Sequence, residues 1–109
     1  MTDKGKKFLS DVFTSIQFIE EFTSSTNAFD EYQSDKKTQS AVERHLAIIG
    51  EAINKLRQTE PAIVLVHDVK IISLRNRLVH AYDSIDNTIV WAILKNHLPS
   101  LKIEISALL

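Results

Sequence analysis

Apolar residues return at intervals of three and four through most of the chain, which is the period of amphipathic helices and not of strands. The first run predicts a helix from about Lys4 to Phe22, with Phe8, Val12, Ile16 and Ile19 on one stripe. The polar stretch Thr23-Ser24-Ser25-Thr26-Asn27 ends it, and a short helical segment over Ala28 to Gln33 can follow. Ser34 or Asp35 offers a side-chain oxygen to the unpaired N–H groups that start a long second helix. That helix reaches Leu56 or Arg57, with Val42, Leu46, Ile49, Ile53 and Leu56 facing inward, and Glu60-Pro61 stops it. Ala62 to His67 is apolar and β-branched, a pattern equally suited to an extended segment or a loose helical entry. Asp68 then caps a helix running to about Tyr82, and Asp83-Ser84-Ile85 turns the chain. Asp86 caps the last helix, in which Pro99 either makes a kink or opens a new helix through Leu109.

Glycine and proline occur only twice each, too rarely for the turns of a β protein, so the fold class is all-α. A chain of 109 residues has room for one core, predicting a single domain over 1–109 that readily shares a face with a second copy. The absence of cysteine removes disulfides, thiolate nucleophiles and cysteine-built zinc sites, and is compatible with a cytoplasmic location. The basic start Met1 to Lys7 is followed by no uninterrupted apolar run, so neither a signal peptide nor a membrane span is expected. A formal charge of -1 provides no overall basic field. Any nucleic-acid contact must then rest on a local patch, for which Lys4, Lys6 and Lys7, Lys36-Lys37, and Arg75 with Arg77 are the candidates. Lysine clusters are more often plain solvated surface.

The densest chemistry lies in Arg75-Asn76-Arg77-Leu78-Val79-His80-Ala81-Tyr82. A permanent cation, an amide, an imidazole and a phenol on one predicted helix can hold a phosphate and move a proton without a metal, which suggests an RNA-cleaving site. At about 100° per residue, Ile71, Leu74, Leu78 and Ala81 share the core arc, while Ile72 and Val79 form a second, narrower apolar arc. Ser73, Asn76 and His80 adjoin that second arc on one side, and Arg75 and Tyr82 align along its other edge. The arc needs a partner, either another helix of the same chain or a symmetry mate whose polar groups would converge along the same seam. Arg77 points elsewhere, toward surface or RNA. Within the long helix, Gly50 costs roughly 1 kcal/mol against alanine, which suggests close packing of another helix, and Glu51 can pair with Arg75 or Arg44. His45, His67 and His97 have no metal-ligand spacing, Trp91 reads as core, and no glycine-rich phosphate loop occurs. No metal and no cofactor is expected.

The pattern R-x-x-x-x-H-x-Y, here Arg75, His80 and Tyr82, resembles the signature of the HEPN superfamily, specifically the HepT-like toxins paired with a minimal nucleotidyltransferase (MNT) antitoxin. Thr38 to Ala52, with its Ile49-Gly50-Glu51-Ala52 run, looks like the long helix of that family, and Ile85-Asp86 through Leu98-Pro99 like its last helix. One departure is Pro61 to Ile71, where members commonly carry a proline-tryptophan-arginine step. The resemblance implies an up-and-down bundle of four to five helices, dimerising across the motif helix at Ile72 and Val79. It implies metal-independent RNA cleavage in which Arg75 stabilises the phosphate, His80 transfers a proton and Asn76 orients His80 or the phosphate. It also implies a nucleotidyltransferase antitoxin that adenylylates Tyr82. A catalytically silent HEPN module that binds nucleotides or acts as a scaffold is the alternative.

Overall fold

The computed structural model describes all 109 residues apart from the side chain of Tyr82. Its elements are α1 (Asp3–Phe22), α2 (Phe29–Gln33), α3 (Lys36–Thr59), α4 (Asp68–His80), a 3-10 turn (Tyr82–Ser84), α5 (Asn87–Asn96) and α6 (Leu98–Leu108). Among the described residues there is no strand, in agreement with the three-and-four periodicity. The chain is thus divided into more helices than four or five, because Phe29–Gln33 forms its own turn and Pro99 opens α6 instead of kinking α5. Proline is favoured there, in a first helical turn that needs no N–H from it.

Side-chain caps set several of the boundaries. The Thr2 hydroxyl accepts from Gly5 N at 3.1 Å, Asp35 accepts from Thr38 N at 3.1 Å, and Asp86 accepts from Thr88 N at 2.9 Å. Asp68, expected as a cap, is instead the first residue of α4; the cap position is His67, which makes no side-chain capping bond. From the first turn the Asp68 carboxylate complements the helix dipole and lies 3.6 Å from Arg57 Nε.

A second correction concerns the end of α4, which stops at His80, short of Tyr82. Ala81 leaves the helical region at φ -145°, ψ 44°. Its carbonyl is taken by Ser84, whose N–H donates at 3.0 Å and whose hydroxyl donates at 2.9 Å, so a serine side chain competes successfully with helix continuation.

The segment 61–67 is neither strand nor helix. Burial of Leu65 and a hydrogen bond from Val66 N–H to Glu104 Oε2 at 3.1 Å tie it to α6. With no neighbouring strand to pair it, its β-branched composition produces only an irregular connection that leaves Val64 and Val66 exposed.

The long helices α1 and α3 pack along each other, α4 covers another side of α3, and α6 closes against α1 and α5. Leu9, Val12 and Ile16 of α1 and Val42, Leu46 and Ile49 of α3 are all essentially inaccessible to solvent. The α1 stripe keeps Val12, Ile16 and Ile19 as predicted and differs at its first position, where Leu9 is buried and Phe8 only partly covered. The radius of gyration of 13.5 Å is that of a compact fold of this length. Among the described residues, no helix is long and apolar enough to cross a membrane.

Candidate active site

Burial of Ile71 and Leu74 fixes the rotation of α4 and places Arg75 at the border of its buried face. At that point α3 presents Gly50. A Cβ on Gly50 would fall 2.8 Å from Arg75 Cγ, closer still to Arg75 Cβ, and 3.2 Å from the Ile71 carbonyl oxygen. The glycine expected to permit a close helix approach therefore permits this one, and what approaches is the stem of Arg75 itself.

Laid flat on α3, Arg75 carries its guanidinium to the next residue of that helix, Glu51, with which Nη2 forms an ion pair. Nη1 donates to Asn76 Oδ1 at 3.0 Å. The arginine side chain is only 23% exposed, and Nε is buried without a hydrogen-bond partner among the described residues. Two separate attachments thus restrict a long side chain that would otherwise sample many rotamers. Asn76 Oδ1 faces the guanidinium, an alignment that the helical wheel did not anticipate. Its one legible signal was the adjacency of arginine and asparagine.

A groove of about 570 Å³ opens beside this arginine, between α1, α3 and α4. Lys7, Asp11, Arg44, Glu51 and Lys55 supply its charges, and Val79 forms part of its wall. Lys7 is held by Asp11 at 2.9 Å and Lys55 lies 3.7 Å from Glu51, whereas Arg44 is exposed. The cations at this groove come from three helices, so their grouping could not be read from any one run of sequence.

His80 is the exposed last residue of α4, and its ring makes no hydrogen bond among the described residues. It lies five positions beyond Arg75, about 7.5 Å of helical rise. The Tyr82 side chain lies outside the described residues. The backbone leaves α4 at Ala81, so Arg75 and Tyr82 do not belong to one continuous helix. Of the second apolar arc, Ile72 is half-buried against the core and Val79 is 47% exposed; Val69, not assigned to that arc, is 66% exposed on the same helix.

The remaining histidines and Trp91 occupy other surroundings. His45 packs on Phe18 and Phe22 with ring centroids 5.1 and 5.6 Å away, and its Nδ1 lies 3.1 Å from Ser15 Oγ. Burial, then the nearby Arg44 charge, lowers its pKa from the ordinary imidazole value. His67 and His97 meet edge to face at 4.2 Å, and burial followed by His67 pushes His97 down as well. Trp91 lies half-buried against the buried Tyr32 ring at 5.5 Å, with Lys95 Nζ 4.5 Å from its centroid, in keeping with a packing role.

The HepT-like family model, described as ribonuclease HepT-like, matches residues 12–108. A protein of Thermococcus cleftensis named probable ribonuclease HepT is 39% identical over 106 residues, covering 94% of this chain and 93% of the relative. A protein of Methanocaldococcus jannaschii named as a candidate RNase is 38% identical over 98 residues, covering 87% of this chain and 78% of the relative. A second from the same organism, also named as a candidate RNase, is 35% identical over 104 residues, covering 92% of each. No solved structure matches the chain significantly.

Proposed function

Because this chain belongs to the HepT-like ribonuclease family, we propose that it is a metal-independent endoribonuclease, the toxin of a HEPN/MNT toxin–antitoxin pair, cleaving cellular RNA such as tRNA or mRNA. The observation that carries the reading is the restrained Arg75, held by Glu51 and Asn76 at an open groove on the helix that ends in the exposed His80. A guanidinium has five N–H groups. Asn76 accepts from one on Nη1 and Glu51 forms an ion pair at Nη2, so further N–H groups are left for phosphate oxygens.

In the reaction, a ribose 2′-hydroxyl attacks the adjacent phosphorus. The new O–P bond closes a 2′,3′-cyclic phosphate as the bond to the 5′-oxygen of the next nucleotide breaks. Arg75 stabilises the negative charge that grows on the non-bridging oxygens, a preorganised interaction that favours the transition state. The exposed His80 imidazole can take the 2′-hydroxyl proton or deliver one to the leaving 5′-oxygen, with water completing the other transfer. Glu51 and Gly50 are positioning residues: one orients the guanidinium and the other admits its stem. No step of this sequence requires a metal.

The partner is a nucleotidyltransferase antitoxin that attaches adenylate to Tyr82. Tyr82 lies two residues beyond His80, so the added phosphate would bring bulk and negative charge to the end of the helix that receives RNA, competing with substrate. The active form is a homodimer joined through Ile72 and Val79, and its setting is the cytoplasm. The half-exposed Val79 beside the groove supports this seam.

The reading is tested by incubating the purified chain with RNA in excess chelator, with growth followed on expression alone and with the neighbouring gene product. Cyclic-phosphate ends, and growth arrest relieved by the neighbour, are expected. A folded protein that leaves RNA intact would favour the silent scaffold. Intact mass after co-expression should show adenylate in wild type and none in Tyr82→Phe; an unmodified, fully neutralised toxin would replace adenylylation by simple binding.

A further inference from the structure

On the side of α4 away from Ile72 and Val79 lies a second cavity, a cleft of about 400 Å³ between α4 and α5. The two helices do not pack closely against each other here. Its floor is apolar, formed by the buried Leu74 and Ile93 with Ala92, and its rim is extended by the exposed Val69 and Ile89. Ser73, Lys70 and Arg77 of α4 stand along one edge, and His97 closes one end. Lys70 and Arg77 are seven residues apart and share a helix face. Both are exposed, and neither belongs to an ion pair among the described residues. His97 Nδ1 is buried without a hydrogen-bond partner among the described residues.

This edge adjoins the Asn76 and His80 part of the candidate site, on the side of α4 away from Arg75. Arg77 precedes His80 by three residues and Ser73 precedes Asn76 by three, spacings that make neighbours on a helix surface. An RNA strand lying across the exposed face of α4 at Asn76 and His80 therefore meets Arg77 and Lys70 next. We propose that the α4–α5 cleft is a nucleotide subsite, seating a splayed-out base of single-stranded RNA on Leu74, Ala92 and Ile93 while Lys70 and Arg77 hold the phosphate joining that nucleotide to the scissile one. The cleft volume falls in the ~300–1,000 Å³ range of small-ligand sites. Single-stranded RNA is commonly read through such unstacked bases, with apolar surface taking the ring and cations the backbone. The substrate class deepens the ribonuclease reading and rests on it; the existence of the nucleotide site does not.

The test uses the full chain and a 2′-O-methyl RNA octamer, which lacks the attacking hydroxyl and so reports binding without cleavage. Fluorescence anisotropy should show Lys70→Ala/Arg77→Ala binding at least ~10-fold weaker than wild type. Ala92→Leu fills the cleft from α5 without touching a charge or the proposed dimer seam, and should bind ~3- to 10-fold weaker with self-association unchanged. Titration of the wild type with 5′-CMP should shift the amide resonances of Ser73, Ala92, Ile93 and His97, which decides the matter even if Ala92→Leu fails to fold. Shifts absent from those residues, or Ala92→Leu folded and binding as tightly as wild type, would overturn the base seat. Displacement of the octamer by hexaglutamate but not by 5′-CMP would also overturn it, assigning the cleft to an acidic peptide. A wild type that does not cleave RNA yet binds the octamer in a manner sensitive to Ala92→Leu would remove the ribonuclease reading and retain the subsite. Cleavage with unchanged affinity in both variants would do the reverse.

Discussion

Gly50→Ala separates the positioning of Arg75 from the stability of the fold. The added methyl would stand 2.8 Å from Arg75 Cγ, where ordinary van der Waals contact begins at 3.4 Å, so Cγ must retreat by about 0.6 Å. Arg75 Cβ is closer still and is bonded directly to the α4 backbone. A change of rotamer therefore cannot relieve the contact, and α4 itself has to move away from α3. Overpacking of this kind costs ~1–3 kcal/mol, while replacing glycine inside a helix returns ~1 kcal/mol of propensity. The net loss is about 0–2 kcal/mol, a fall in Tm of up to roughly 10 °C for a domain of this size. At 25 °C the variant should remain folded, so stability alone predicts almost no loss of turnover. Displacing the guanidinium from Glu51 and Asn76 by part of an ångström predicts more, because a misplacement of ~1 Å can cost ~100-fold. Thermal unfolding followed by circular dichroism, and single-turnover cleavage at 25 °C, should be measured on the same preparation. Cleavage within twofold of wild type would refute the claim that the Gly50 contact positions Arg75, whatever the change in Tm.

Three further outcomes are expected. Arg75→Ala should lower the cleavage rate ~10²- to 10³-fold and His80→Ala ~10²- to 10⁴-fold with helicity retained; full activity in either folded variant would remove that residue from the mechanism. Val79→Asp should weaken self-association at least ~10-fold by sedimentation, since a charge at an apolar seam is desolvated without a partner; a wild-type monomer that cleaves RNA would contradict the shared seam. Burial lowers the pKa of His45 below its ordinary 6.5, so the unfolded chain takes up that proton first as pH falls. Its contribution to stability is complete above about 6.5 and is lost as pH drops through the folded pKa. Tm should therefore decline between pH 7.5 and 5.5, and decline less in His45→Gln; equal declines in the two proteins would show that His45 does not contribute.

Helix content, the inward stripe of α3 and the Asp35 and Asp86 caps were legible in the sequence because each depends on residues within a few positions of one another, where periodicity and hydrogen-bond reach suffice. The motif helix was legible in the same way, and the cost of a glycine inside α3 correctly implied a close neighbour. The ends of α4 were less so. Asp68 competes between capping its own helix and meeting Arg57, and Ser84 captures the Ala81 carbonyl before the helix can reach Tyr82. Residues 61–67 have strand-like composition but no strand beside them, so their conformation follows from where Leu65 and Val66 attach to the rest of the chain. Tertiary structure alone decided that Gly50 faces Arg75 and not some other side chain. It also decided that the charges of α1, α3 and α4 gather around one groove, and that α4 and α5 part to leave a second cleft. Those features depend on how helices distant in sequence are rotated and spaced, and rotation is set by the summed burial of both faces of each pair.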